Sequence, residues 1–335
     1  MISVENLTKS YLRHQQSVRA LDRVSLDVPA GAACGVVGAS GAGKSVLARC
    51  MALLERPDSG AVRVDGTDVT ALSSQALRAV RRRIGVVSPE NGPQLERTAA
   101  GNIASPLEAA NVSGPQRRSR VGELLDLVGL TDKADHHPEQ LTAGQNRRVE
   151  IARALAGKPA VLLADDPTAG LDPTTSESVL TVLDRARAEQ DVTTVIGTND
   201  MSVVRRAVDE VAVLDGGALV ERGRLLDLAA EPGSRIGASL LPEIDGGAPA
   251  GRYDVTAEVV LVGFAAVGAL LPEASNRFDV ELSVLGGGFT RLGETPVAKF
   301  RVGLAGQRSE SALKWMIDRD AHVRRAPTAV EARAA

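Results

Sequence analysis

Residues Gly38-Ala39-Ser40-Gly41-Ala42-Gly43-Lys44-Ser45 form a glycine-spaced turn that ends in a lysine and a hydroxyl. Such spacing builds a phosphate cradle. Glycines let successive backbone N–H groups turn inward on an anion, Lys44 reaches the outer phosphates, and the Ser45 hydroxyl suits Mg2+. Val46 opens the following helical stretch, so the phosphates are expected at a helix N-terminus, where the backbone dipoles favour negative charge. The expected ligand is a nucleoside triphosphate with its metal. Far downstream, Asp165 closes an apolar run. A carboxylate at that place is positioned to hold the water shell of the same Mg2+.

These groups need elements to carry them. The apolar run 33–37 reads as a buried strand leading into the cradle, and 46–51 as the opening of a helix. Residues 161–164, 193–196 and 210–214 read as further strands, the last followed by an Asp215-Gly216-Gly217 turn. Strands alternating with helical stretches predict an α/β domain with a mixed or parallel sheet over residues 1–228. Residues 229–252 are rich in Gly, Pro and Ala and read as a linker. A second, small α+β domain is expected over 253–326, with strand 255–262, helix 272–278, strands 280–289 and 297–304, helix 309–317 and a last strand near His322. That βαββαβ order is ferredoxin-like. Ser309 is expected as a helix N-cap, and Pro272 fits only a first helical turn. Residues 327–335 are expected to be a disordered tail.

At 335 residues the chain exceeds one ordinary compact unit, which agrees with two domains. A net charge of -3 offers no electrostatic reason to bind nucleic acid, and none is expected as a partner. No apolar run is long enough to cross a bilayer, and the N-terminal residues carry charges where a secretory signal would be apolar. The chain is therefore expected in the cytosol unless another protein docks it at a membrane. Cys34 and Cys50 lie in apolar runs without metal-ligand spacing and read as core residues.

Leu141-Thr142-Ala143-Gly144-Gln145 precedes the helical stretch 146–155, which leads into the strand ending at Asp165. In that order, after the phosphate loop, these segments resemble the nucleotide-binding subunits of ABC transporters, which have a P-loop NTPase fold. The resemblance implies that Thr142, Ala143, Gly144 and Gln145 close over ATP held by a second ATP-binding subunit. A homodimer is expected, with a heterodimer as the alternative. Thr142 and Ala143 depart mildly from the family's LSGGQ. Tyr11 matches the adenine-stacking aromatic, core packing being its other reading, and residues 169–172 fall at the dimer-contact loop. The stretch 35–66, together with the two-domain layout, narrows the resemblance to the ATPase subunits of bacterial methionine importers. This implies integral-membrane permease partners, a peripheral place on the cytoplasmic face of the membrane, and an ACT-like C-terminal regulatory domain that takes an amino-acid effector.

Three positions depart from the family. Asp166 stands where a glutamate orients and deprotonates the attacking water, one methylene shorter. Asn199 replaces a histidine on the γ-phosphate, and can hydrogen-bond but not carry a proton's charge. Pro89 replaces a glutamine that touches Mg2+ and signals to the permease, with Gln94 five residues later as the only nearby substitute. General-base assistance is typically worth about 10²–10⁴ in rate, so ATP and Mg2+ binding with slow hydrolysis is expected. The alternative is a degenerate subunit that acts as a nucleotide switch or as partner to a competent ATPase. A soluble ABC protein of translation or DNA repair is disfavoured by the single cassette and the lack of sustained heptads. His136-His137 reads as a solvated turn, Arg81-Arg82-Arg83 as a helix end, and Trp315 as core packing rather than an effector platform.

Overall fold

The computed structural model describes residues 1–13, 16–231, 233–244 and 252–325. The expected tail 327–335 lies outside them. The chain divides into two compact units, Met1–Arg222 and Gly223–Ala335.

In the first unit a six-stranded sheet runs in the order Ala218–Arg224, Glu210–Asp215, Ala33–Val37, Thr193–Thr198, Val161–Asp165, Ile84–Val87. The pairings from Glu210–Asp215 through Ile84–Val87 are parallel. Every residue of Ala33–Val37 and of Thr193–Thr198 is buried. Strands covered on both faces read as continuous apolar runs, which is why the sequence exposes them.

A second sheet, antiparallel, orders Gln16–Val28, Ile2–Arg13, Ser59–Val64 and Thr67–Asp68. The expectation of a mixed or parallel sheet in this domain did not separate it from the first sheet. Its strands alternate buried and exposed residues, as in Gln16–Val28, where Leu21, Val24, Leu26 and Val28 turn inward. Between the two sheets, helix Lys44–Met51 places Leu47, Cys50 and Met51 in one apolar cluster with Leu7, Leu21 and Leu163. Both cysteines are buried there, and desolvation pushes the Cys34 thiol up to about 12 and Cys50 to about 11. Helices Ala99–Ala109, Gly114–Leu127, Ala143–Leu155 and Pro173–Gln190 pack on one another as a helical segment.

The second unit holds a four-stranded antiparallel sheet in the order Glu281–Leu292, Thr295–Ala305, Val255–Val262, His322–Arg325. With helices Leu270–Phe278 and Ser309–Ile317 this is the βαββαβ, ferredoxin-like arrangement expected. Pro272 lies in the first helical turn, as it must. Ser309 is not an N-cap: Arg308 holds that place, and Ser309 is the first helical residue, its Oγ donating to Gly306 O at 2.8 Å. Trp315 packs against the core of this unit and meets Phe278 edge-to-face at 6.2 Å.

The stretch read as a linker contains structure. Helices Leu225–Ala230 and Arg235–Leu240 bury Leu228, Ile236 and Leu240 within the second unit. A Cβ on Gly237 would lie 2.4 Å from Leu228 O, so this glycine serves close packing rather than chain freedom.

Candidate functional site

Three neighbouring parallel strands end at one edge of the six-stranded sheet, and their carboxyl ends carry the candidate residues. Ala33–Val37 leads into Gly38–Ser45, Val161–Asp165 ends in Asp165 and is followed by Asp166, and Thr193–Thr198 is followed by Asn199. The fourth, Ile84–Val87, leads to Ser88 and Pro89. In open α/β sheets this edge is where ligands bind.

The loop's glycines are required by its path. Gly41 and Gly43 have φ of 83° and 105°, and a Cβ on Gly38 or Gly43 would sit 2.3 Å from Leu214 O or 2.5 Å from Ala20 O. Gly43 caps helix Lys44–Met51 without a side-chain hydrogen bond, and the first turn has no acidic residue. The first N–H groups of that helix are therefore donors with no intrahelical acceptor, which suits an anion. Lys44 is buried, and its Nζ donates to Gly38 O at 2.8 Å and Ala39 O at 3.1 Å, holding the ammonium at the loop itself.

Asp165 faces this loop. Its Oδ1 is buried with no hydrogen-bond partner among the described residues, and the Ser45 side chain is close enough to stabilise the ionised carboxyl. Burial holds the Asp165 carboxyl above the usual carboxylate range, with the Asp166 charge adding to this and Ser45 and Lys44 opposing it. An orphaned carboxylate oxygen beside a hydroxyl fits a divalent cation, which takes oxygen ligands of this kind. A Cβ on Gly197 would lie 3.0 Å from Asp165 Oδ1, so a glycine in this buried strand keeps the carboxylate's space.

Asp166 is half-buried, in a left-handed backbone conformation with φ of 43°, and its N–H donates to Gly197 O at 2.8 Å. Asn199 is exposed just beyond the same strand. Pro89 opens a short 3-10 turn, Pro89–Asn91, whose N-cap Ser88 accepts from Glu90 N. Gln94 is not brought to the carboxylates by any contact among the described residues. Its main-chain N–H and C=O are both bonded to the buried Asn102, and its side chain is exposed.

Thr142 and Gln145 form a reciprocal capping box, Thr142 N donating to Gln145 Oε1 at 2.8 Å and Gln145 N to Thr142 Oγ1 at 3.3 Å. Thr142 and Ala143 are exposed at the start of helix Ala143–Leu155, while Gly144 is buried against Thr175. Asp172, at the end of the stretch 169–172, N-caps helix Pro173–Gln190 by accepting from Thr175 N at 3.0 Å. Thr175 was not singled out from sequence, although an Asp-Pro pair followed by threonines is a readable helix start. Tyr11 is half-buried on strand Ile2–Arg13, its hydroxyl donating to Glu55 Oε1 at 2.6 Å.

A glycine-built anion cradle at a helix start, with a cation-ready carboxylate on the next strand but one, defines a phosphate-loop nucleotide-binding protein. A family model described as ABC transporter matches residues 21–169, and one described as NIL domain matches 256–325. The methionine import ATP-binding protein of Thermobifida fusca is 44% identical over 98% of this chain and 100% of its own length. That of Streptomyces griseus is 41% identical over 93% of this chain and 88% of its own. The dimeric structure of MJ0796, a bacterial ABC transporter cassette, is 34% identical with a TM-score of 0.63, covering 67% of this chain and 99% of the cassette. The same cassette bound to ADP and Pi, in a dimeric post-hydrolysis state, gives a TM-score of 0.62 at 33% identity, over 67% of this chain and 99% of its own. The chain belongs to the ABC transporter ATP-binding proteins, in the family of methionine import ATP-binding proteins.

Proposed function

We propose that this protein drives methionine import by binding and hydrolysing ATP, as one half of a nucleotide-bridged dimer beneath integral-membrane permease subunits. The relatives' names support the solute, and the cassette's match to a dimeric structure supports the pairing. Among the described residues no helix is long and apolar enough to cross a membrane, so membrane association is assigned to the permease contact, peripherally at the cytoplasmic face.

The observation that carries the nucleotide reading is the unpartnered Asp165 Oδ1 beside Ser45, at the uncapped start of helix Lys44–Met51. In this reading the N–H groups from Gly38 to Val46 bind the phosphates and Lys44 neutralises their outer charge. Ser45 and Asp165 would hold Mg2+, which would supply neutralisation of the phosphate charge. The Asp166 carboxylate accepts a proton from the attacking water, and Asn199 donates a hydrogen bond to the γ-phosphate. Thr142, Ala143, Gly144 and Gln145 form the helix start that faces the partner's nucleotide, with Thr142 and Ala143 exposed. Tyr11 stacks on the adenine. An amino-acid effector at the C-terminal unit would bias the populations of open and closed dimers.

Equilibrium dialysis of the full-length protein with labelled ATP and Mg2+, repeated for Lys44→Ala, tests the cradle. Uptake lost in the variant is expected, and equal uptake by both proteins refutes the site. Uptake of labelled methionine by cells carrying the wild type or Lys44→Ala with the permease tests the solute.

A further inference from the structure

Beneath the ring of Tyr11 lies a clasp of four charged side chains that the nucleotide chemistry does not use. The Tyr11 hydroxyl donates to Glu55 Oε1 at 2.6 Å and lies 3.5 Å from Arg49 Nη2. Glu55 is held from its other oxygen by Arg49 Nε at 3.2 Å and from the first by Lys9 Nζ at 3.4 Å. Lys9 in turn donates to Arg56 O at 2.9 Å, pairs with Asp58 at 3.4 Å, and lies 5.4 Å from the centroid of the Tyr11 ring. Burial alone would raise the Glu55 carboxyl, but the hydrogen bonds from Tyr11 and Arg49 and the charge of Lys9 outweigh it and hold Glu55 below the usual range. Burial, followed by the bond to Glu55, raises the Tyr11 hydroxyl, so it stays protonated and donates.

The members come from separate places: Tyr11 and Lys9 from strand Ile2–Arg13, Arg49 from the helix that starts at the phosphate cradle, and Glu55 from the loop beyond that helix. One hydroxyl thus ties the aromatic ring to the phosphate-binding helix. A ring tethered only at Cβ turns about two bonds. One tethered also through its hydroxyl is pre-set, and a bound planar group then loses less freedom in ordering it. We propose that Glu55, braced by Arg49, is a positioning residue that locks Tyr11 in the orientation for stacking on the purine base, so that base affinity depends on the tyrosine hydroxyl. This rests on Tyr11 being the base platform.

Competition for a fluorescent nucleotide on the full-length protein, using ATP and base-free tripolyphosphate with Mg2+, tests it. Tyr11→Ala is expected to weaken ATP by about tenfold or more, from the loss of stacking. Glu55→Gln and Tyr11→Phe are each expected to weaken ATP by about three- to tenfold, with the double variant no weaker than either single. Tripolyphosphate affinity should not change in any of them. Glu55→Gln binding ATP like the wild type, while Tyr11→Ala loses affinity, overturns the positioning role and leaves the platform standing. Unchanged ATP affinity in Tyr11→Ala removes the platform and the proposal together. A parallel loss of tripolyphosphate in Glu55→Gln also overturns it, since the carboxylate would then be supporting the cradle.

Discussion

The methyl of Thr175 occupies the space in front of Gly144: a Cβ built on that glycine would lie 2.2 Å from Thr175 Cγ2. The threonine cannot swing away freely, because its N–H and its hydroxyl are both bonded to Asp172. One side chain therefore sets the seat of helix Ala143–Leu155 against the start of helix Pro173–Gln190.

Gly144→Ala is expected to destabilise the protein by about 1–3 kcal/mol through overpacking, despite alanine's better helix propensity. ATP-dependent dimer formation, followed by light scattering, should fall with it. The double variant Gly144→Ala with Thr175→Ser removes the clashing methyl and keeps the hydroxyl, so thermal stability should return. Failure of that rescue would show that another neighbour rejects the added carbon.

The Asp165 carboxyl is raised by burial and by the charge of Asp166. A raised pKa means that the folded protein keeps this proton to higher pH than the unfolded chain does. Its ionisation therefore removes stability as pH climbs from the ordinary aspartate value of about 3.9 to the raised one, with no further change above. Without Mg2+, Asp165→Asn should melt higher than the wild type at neutral pH, the gap shrinking as pH is lowered through that window. Saturating ATP and Mg2+ should narrow or reverse the gap, because the wild type, with both metal-holding groups, gains more of the ligand's stabilisation than the variant. A gap that ignores pH would rule out ionisation as its source.

Asp166 sits at φ of 43°, a conformation that aspartate tolerates better than glutamate. Asp166→Glu with Asn199→His is expected to raise ATP turnover by about tenfold or more, by extending the carboxylate toward the water and restoring an imidazole. The same glutamate should lower stability by about 1 kcal/mol. Steady-state ATPase rates and thermal melts of the single and double variants read both effects. A wild type already as fast as the double variant would mean that Asp166 reaches its water unaided.

Asn102 is fully buried and fastens the loop after Pro89: its Nδ2 donates to Gln94 O, Arg97 O and Thr98 O, and its Oδ1 accepts from Gln94 N at 2.7 Å. Asn102→Ala leaves several of these groups without partners and should cost about 3 kcal/mol or more. Amide exchange at Gln94 should accelerate well before global unfolding does. Unchanged protection there would assign the loop's order to other contacts.

Strands 33–37 and 161–164 and helix 309–317 were readable because burial leaves a continuous apolar run or a helical period in the residues themselves. The antiparallel sheet of Ile2–Arg13 and Gln16–Val28 was hidden by its alternation with charged residues, and helix Arg235–Leu240 by the Pro and Gly around it. Gly237 reads as a linker residue until Leu228 O is seen against it.

The proposed phosphate cradle is legible in sequence alone, because the consecutive residues Gly38 to Val46 carry its N–H groups, its ammonium and its hydroxyl, and covalent spacing sets how they converge. Everything contributed from a distance was decided by tertiary structure. Strand order brings Asp165, Asp166 and Asn199 to the loop's edge of the sheet, packing gives Thr175 to Gly144, and a strand and a loop 44 positions apart share the Tyr11–Glu55 bond. Non-local pairing depends on which surfaces cover one another, and no local run of residues encodes that.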